Sequence, residues 1–201
     1  MIGVDAPLKS VLQLVRTALK EDIGDGDRTT LWTVPPDTQG SARVIAKARG
    51  IIAGAEPTNL VFNEVDAGLT LNWRKRDGDP VAVGEEVMEV RGRLRSILTA
   101  ERTALNFLGR LSGIATTAGR FADAVAGTGA QVIDTRKTTP GWRALEKAAV
   151  AAGGCGNHRA GLFDMVLVKE NHLRVIGGFG PTLEAVRGRA AAEGLEVEVE
   201  V

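Results

Sequence analysis

QVIDTRKTTPGWRALEKAAVAAGGCGNHRAGLFDMVLVKENH, residues 131–172, reads as strand, polar loop, helix, loop and strand. Residues 131–135 (QVIDT) and 165–169 (MVLVK) are short apolar runs that predict strands. Between them 142–152 (WRALEKAAVAA) predicts a helix. The alternation continues with a helix over 181–193 (PTLEAVRGRAAAE) and a strand over 195–201 (LEVEVEV). Strands alternating with helices imply parallel pairing, in an α/β layer structure or a barrel.

Upstream the texture differs. Asp5 is placed as an N-cap with Pro7 just inside a helix whose stripe is Leu8, Val11, Leu12, Val15, Ala18 and Leu19. That helix should stop near Gly24, where GDGDRTT makes a polar loop. Strands are expected over 41–48, 51–54, 69–76 and 87–94, with a short helix over 57–65 and a turn at 77–80 (DGDP). Residues 40–95 thus form a small mixed unit with an antiparallel sheet. Residues 97–126 are rich in Leu, Ala and Arg at helical spacing: one long helix, or two broken near Gly109 or Gly113.

The chain has 201 residues, 25 Lys+Arg against 25 Asp+Glu, and 44% hydrophobic residues. These values fit one or two globular domains and exclude a disordered or collagen-like chain. Zero net charge and few aromatics argue against a nucleic-acid or membrane-surface binder. One cysteine, Cys155, excludes an internal disulfide scaffold. No apolar run approaches the ~20 residues that cross a bilayer, and the first residues lack the basic start of a leader. The expected compartment is the cytoplasm.

Unusual side chains gather just after the predicted strands of the second half, where α/β folds place ligands. Arg136 and Lys137 follow the first strand, Lys169, Glu170, Asn171 and His172 the second, and Asn157, His158 and Arg159 occupy the loop between. Within 131–180 seven Lys and Arg face four Asp and Glu. Charges are not left buried at strand ends unless paired or bound to something, so such a cluster suits a ligand with several negative groups. Arginine adds a planar fork for carboxylate or phosphate. The bland alternative for any single residue is a solvated loop cation. His158 lacks a zinc-ligand pattern, and neither GxGxxG nor GxxxxGK[ST] occurs. Cys155, between glycines, reads as a position chosen for small size rather than as a thiolate nucleophile. Glu196, Glu198 and Glu200 share one strand face, which is either an exposed edge or an acidic wall of a site.

Three segments then carry a resemblance: ERTALNFLGRLSGIAT (101–116), DTRKTTPGWRALEKAAVAAGG (134–154) and NHRAGLFDMVLVKENH (157–172). With EDIGDGDRTT (21–30) and AKARGIIAG (46–54), they closely resemble quinolinate phosphoribosyltransferase, also called carboxylating nicotinate-nucleotide pyrophosphorylase. The resemblance implies transfer of phosphoribose from phosphoribosyl pyrophosphate to quinolinate, with release of CO₂ and pyrophosphate in the presence of Mg²⁺, in NAD biosynthesis. It implies an N-terminal α/β sandwich with a mostly antiparallel sheet, residues 1–115 including a linking helix, and an α/β barrel from 116–201 that is C-terminally incomplete. It also implies a homodimer with a shared active site, and no nucleic-acid or membrane partner.

Carried over by motif, Arg102, Arg136, His158, Arg159 and Lys169 would surround the quinolinate dicarboxylate, Arg102 reaching across the dimer. Lys137 would face the phosphoribosyl side and act in catalysis with Glu198, the latter near ribose and Mg²⁺. Cys155, Glu170 and Trp142 depart from the usual residues of the family without removing a charged anchor. The length sharpens this. A full (β/α)₈ barrel takes ~250 residues, and three parallel strands cannot close, so the chain reads as about the first two-thirds of the family's fold. Two alternatives are a paralogue with another acceptor and a catalytically silent fragment.

Overall fold

The computed structural model describes residues 8–200; the predicted cap at Asp5, Pro7 and the side chain of Leu8 lie outside the described residues, as does Val201. Contacts divide the chain into two compact units. The first comprises the residues up to Asp134 together with Thr138–Asn157, and the second Thr135–Lys137 together with His158–Val201.

The first unit opens with α1 (Leu8–Ile23), which buries Val11, Val15 and Leu19 along the expected stripe. It ends where Gly24 adopts φ +54°, a left-handed conformation that glycine takes without a side-chain clash. The following loop contains a helix the sequence did not announce, α2 (Arg28–Thr33). Asp27 caps it: one carboxylate oxygen accepts from the Thr30 N–H at 3.0 Å and the other from the Thr99 hydroxyl at 3.1 Å.

Three strands, β1 (Gln39–Ile45), β3 (Thr70–Trp73) and β5 (Glu86–Arg93), form an antiparallel sheet in the order β1-β5-β3. Central β5 contributes to the core from both faces: Met88 and Val90 join the main cluster, while Val87, on the face it shares with ion-paired Glu89, packs with Ile52, Val81 and Leu108. The expected strand over 51–54 shrinks to β2 (Gly50–Ile51), paired with β4 (Pro80–Val81). It stops there because Gly54, at φ +105°, turns the chain into α3 (Ala55–Val65).

The 31-residue helix α4 (Leu94–Ala124) is continuous and spans about 46 Å. Ile97, Ala100, Ala104, Phe107, Leu111 and Ala115 bury one stripe at three- and four-residue steps. Gly109 and Gly113 do not break it; both are exposed, with open space where a Cβ would stand. Helix α5 (Arg143–Ala152) packs on α4, and Gly153 closes it so tightly that a Cβ there would run into the Ala115 carbonyl oxygen and the Ala118 Cβ. Buried Cys155 lies beside this contact and donates its S–H to the Ala118 carbonyl at 3.2 Å, as befits a small packing residue.

The predicted strand at 131–135 is a correction. Only one parallel bridge, Ile133↔Gly156, forms there, because its neighbour is a glycine-flanked loop that offers a single partner residue.

In the second unit β6 (Val166–Val168) and β7 (Val197–Val199) pair in parallel, joined by α6 (Glu170–Ile176) and α7 (Phe179–Glu193). Helix α6 has seven residues, too few for a periodic signal, and ends at Gly177 with φ +96°. Pro181 falls within the first turn of α7, where a missing N–H costs nothing. The fold is mixed α/β. Among the described residues no helix is long and apolar enough to cross a membrane.

One buried carboxylate ties three elements of the first unit. Asp66, at the end of α3, accepts from Arg93 Nε at 2.8 Å, from the Ser96 hydroxyl at 2.7 Å and from the Gly68 N–H at 2.9 Å. The Arg93 hydrogen bond leads the interactions that hold its carboxyl well below the usual carboxylate range. Because the folded value lies below the unfolded one, this contribution is complete above pH ~4 and drains away as pH falls through the folded value. Asp66→Asn is expected to cost about 1–3 kcal/mol at pH 7. In urea titrations the gap to wild type should narrow as the pH is taken below ~4. Gly153→Ala should cost a further, independent ~1–3 kcal/mol by forcing α4 and α5 apart, read as a lower unfolding midpoint.

Candidate active site

The second unit contains Arg136, Lys137, His158, Arg159, Lys169 and Glu198. Parallel pairing of β6 with β7 aligns their C-terminal ends, so Lys169 leaves β6 just where Glu200 leaves β7. Their side chains form an ion pair, Lys169 Nζ to Glu200 Oε2, and the Glu200 N–H donates to the Val168 carbonyl at 2.9 Å. The Lys169 hydrogen bond, and behind it the charge of Lys137, hold the Glu200 carboxyl below its ordinary value. Two residues earlier on the same strand face, Glu198 Oε2 lies 3.0 Å from His158 Nε2. The acidic face of β7 is thus solvent-exposed and at the same time engaged with Lys169 and His158.

The arginines carry the sharper observation. Arg159 is buried and donates from Nη1 to the Met165 carbonyl at 3.2 Å, at the entry to β6. Among the described residues, the buried side-chain polar atoms without a hydrogen-bond partner are Nε of Arg136 and Nε of Arg159. Each such vacancy costs about 1–3 kcal/mol, more on a charged group. Guanidinium N–H groups are donors only, so an acceptor is what would satisfy them, and an anionic one most strongly. The loop bearing Arg159 is held by Asp164, whose carboxylate accepts from the N–H groups of Ala160 at 2.6 Å and Gly161 at 2.8 Å.

The other candidates fall elsewhere. Arg102 is exposed on α4, in the first unit. His172 serves the backbone: its Nδ1 accepts the Lys169 N–H at 2.9 Å at the start of α6. Lys147, counted among the cations of this segment, is fully buried in the first unit and paired with Asp134 Oδ1 at 2.5 Å. Arg174 pairs with Glu170 one turn away, and Arg143 donates to the Thr138 hydroxyl. Of the seven cations in 131–180, Arg136, Lys137 and Arg159 therefore remain as candidates for a ligand, together with Lys169, which the ligand would share with Glu200.

Sequence reasoning missed Glu200 as the partner of Lys169, although its place on the Glu198 face was visible. It also missed the support of the loop 138–142, where Trp142 stacks on Phe107 with ring centroids 4.8 Å apart and Arg110 donates to Thr139 Oγ1 and Glu146 Oε1. Burial works to raise the Glu146 carboxyl, but the hydrogen bonds from Arg110 and Thr139 outweigh it and leave it low. No group of three or more His, Cys, Asp or Glu that could cage a metal occurs among the described residues.

Comparison with known proteins adds independent findings. Residues 27–112 match the family model described as quinolinate phosphoribosyl transferase, N-terminal domain, and residues 114–201 match its C-terminal domain. The decarboxylating quinolinate phosphoribosyltransferase 1b of Nicotiana tabacum is 45% identical over 195 residues, covering 96% of this chain and 54% of that protein. The carboxylating nicotinate-nucleotide pyrophosphorylase of Mycobacterium leprae is 43% identical over 200 residues, covering 98% of this chain and 70% of that one. The solved nicotinate-nucleotide pyrophosphorylase of Francisella tularensis superposes with a TM-score of 0.88 at 38% identity, across 99% of this chain and 69% of that structure. The chain thus spans about half the length of its plant relatives and about two-thirds of its bacterial ones. A chain matched along both halves, and in sequence and fold alike, belongs to the quinolinate phosphoribosyltransferase family.

Proposed function

We propose that this chain carries the acceptor site of a phosphoribosyltransferase that moves phosphoribose from phosphoribosyl pyrophosphate to quinolinate. The products are nicotinate mononucleotide, pyrophosphate and CO₂. The observation that carries this reading is the pair of buried arginine Nε atoms left without partners, in a unit that also offers Lys137 and Lys169. A planar dicarboxylate supplies acceptor oxygens on two sides of a ring, which suits two guanidinium forks and an ammonium.

The roles follow from chemistry. Arg136, Arg159, Lys169 and His158 hold the two carboxylates, with Arg102 contributed by a second copy of the chain in a homodimer. Lys137 faces the phosphoribosyl side, and Glu198 stabilises positive charge that develops on the ribose. Displacement at the anomeric carbon proceeds through an oxocarbenium-like state, so orientation and fixed charge matter more than a nucleophile. Once the ring nitrogen is ribosylated and quaternary, its positive charge stabilises the electron pair left on the adjacent ring carbon as CO₂ departs, and that carbon then takes a proton from water, so no base is needed for that step.

Mg²⁺ fits this arrangement only as an ion shared with substrate. Glu198 is a half-exposed carboxylate, and Mg²⁺ commonly takes one or two carboxylates plus substrate phosphates rather than an all-protein cage. When bound it would neutralise the departing pyrophosphate. For the architecture, we propose the division at residue 115 into a sandwich and part of a barrel, with β6 and β7 as barrel strands. The cytoplasm is our proposed compartment, on the ground that a lone buried Cys155 fits a reducing environment.

Calorimetric titration of the chain with quinolinate, with and without phosphoribosyl pyrophosphate, tests the reading. Binding of quinolinate and weak or no binding of nicotinate is expected, and preference for nicotinate would sink it. Arg136→Ala should weaken quinolinate binding at least ~100-fold, as loss of a charged hydrogen-bonding partner predicts, and Lys169→Ala only about fivefold, because that ammonium already holds Glu200; either should abolish any turnover. Glu200→Gln removes the internal competitor for Lys169. It should tighten quinolinate binding by up to about fivefold, the size of an exposed ion pair.

A further inference from the structure

We propose that Lys147, Asp134 and Asn157 form a positioning clamp that fixes the backbone where the chain enters its ligand-binding residues; the inference rests on the site assignment above. The chain passes between its two units at three peptide links, 134–135, 137–138 and 157–158. On the first-unit side of these links stand Asp134, Thr138 and Asn157. All three are held by one helix, α5. Lys147 Nζ grips Asp134 Oδ1 at 2.5 Å. Arg143 Nε donates to Thr138 Oγ1 at 3.1 Å, and Glu146 Oε2 accepts the Thr139 N–H at 3.2 Å. The Asn157 amide, oriented with its nitrogen toward them, donates to the Lys147 carbonyl at 3.0 Å and to Asp134 Oδ2 at 2.9 Å. The backbone repeats the connection, since Asp134 N–H donates to the Gly156 carbonyl and Gly156 N–H to that of Val132.

What each link leads to gives the clamp its meaning. Arg136 and Lys137 begin two residues after Asp134, and His158 and Arg159 follow directly on Asn157. Two of the binding pairs are thus tethered to a common ion pair by one or two peptide units.

A purely stabilising role explains the arrangement poorly. Lys147 is 0% exposed, and a fully buried ion pair gains little over an apolar pair of the same volume, because desolvation offsets the attraction. What such a pair supplies is direction: a carboxylate between an ammonium and an amide has one orientation that satisfies both. Binding residues misplaced by about an ångström lose much of their effect, which is the loss the clamp prevents. None of the three clamp residues needs to touch the ligand.

The test measures quinolinate affinity by calorimetry and the unfolding midpoint on the same full-length chain. Asn157→Ala releases one entry point without stranding a buried charge. The double variant Lys147→Met/Asp134→Leu removes both charges together. Each is expected to keep an unfolding midpoint near wild type while binding quinolinate at least tenfold more weakly. Asp66→Asn loosens the tie of α3, β5 and α4 without touching α5, and should lower the midpoint with affinity unchanged. If the wild-type chain binds and both clamp variants bind equally well, the clamp is overturned and the site assignment stands. Affinity that falls only in step with the midpoint, in Asp66→Asn as in the others, would also overturn it. A wild-type chain that does not bind quinolinate overturns the site assignment, and the clamp with it.

Discussion

Helix α4 cannot keep its buried stripe in water, and the first unit is arranged around covering it. Isolated helices gain too little from backbone hydrogen bonds to persist on propensity alone, and this one carries two exposed glycines, each costing about 1 kcal/mol against alanine. It persists because α1, α3, α5 and the β1-β5-β3 sheet supply the apolar surface for Ile97, Ala100, Ala104, Phe107, Leu111 and Ala115. The stripe also dictates local sequence elsewhere. Small residues on α4, Ala115 and Ala118, let α5 close in at Gly153, and that approach sets where the loop leaving α5 begins. The same helix also carries Arg110, which reaches across to Thr139 and Glu146 and ties down the loop ahead of α5.

Charge is distributed by a simple division. In the first unit the buried ionic groups are satisfied within the fold: Asp66 by Arg93, Glu146 by Arg110, Lys147 by Asp134. In the second unit the paired carboxylates are exposed, and Nε of Arg136 and of Arg159 is buried without a hydrogen-bond partner. Exposed pairs contribute little to stability, whereas an orphaned buried N–H destabilises. On the proposed function, these two guanidinium positions are where a bound anion would restore stability.

Much of this was legible in the sequence, and the exceptions have physical causes. The long helix and α5 announce themselves through periodicity, because each buries one regular face, while α7 and the strands around 39–45, 70–73 and 86–93 are legible from composition and alternation. What was lost was short or cooperative. Helix α2 depends on a single cap at Asp27, and α6 on seven residues closed by Gly177; neither is long enough for a period to emerge. Residues 131–135 have strand composition, but a strand needs a partner along its length, and composition does not reveal that only Gly156 is available. For the site, the clustering of Arg136, Lys137, His158, Arg159 and Lys169 was visible as charge. The fate of Lys147 was not, because a lysine on an alanine-rich helix looks solvated until Asp134 is seen beside it. The partnership of Lys169 with Glu200 likewise needed the parallel register of β6 and β7.

That register also bears on how a dicarboxylate would gain affinity here. Lys169 and His158 already hold carboxylates of the chain itself, Glu200 and Glu198, so at these two positions an incoming carboxylate would replace one anion with another. The exchange leaves the charge count unchanged and returns a glutamate to solvent, so its net yield is small. Arg136 and Arg159 differ, since their Nε atoms have no partner to lose. The free energy of binding should therefore come mainly from the two guanidinium groups, with Lys169 and His158 setting orientation. Affinity then depends on how well two arginines on separate loops are aimed at one planar ligand, and aiming is what a rigid anchor at Asp134 and Asn157 provides.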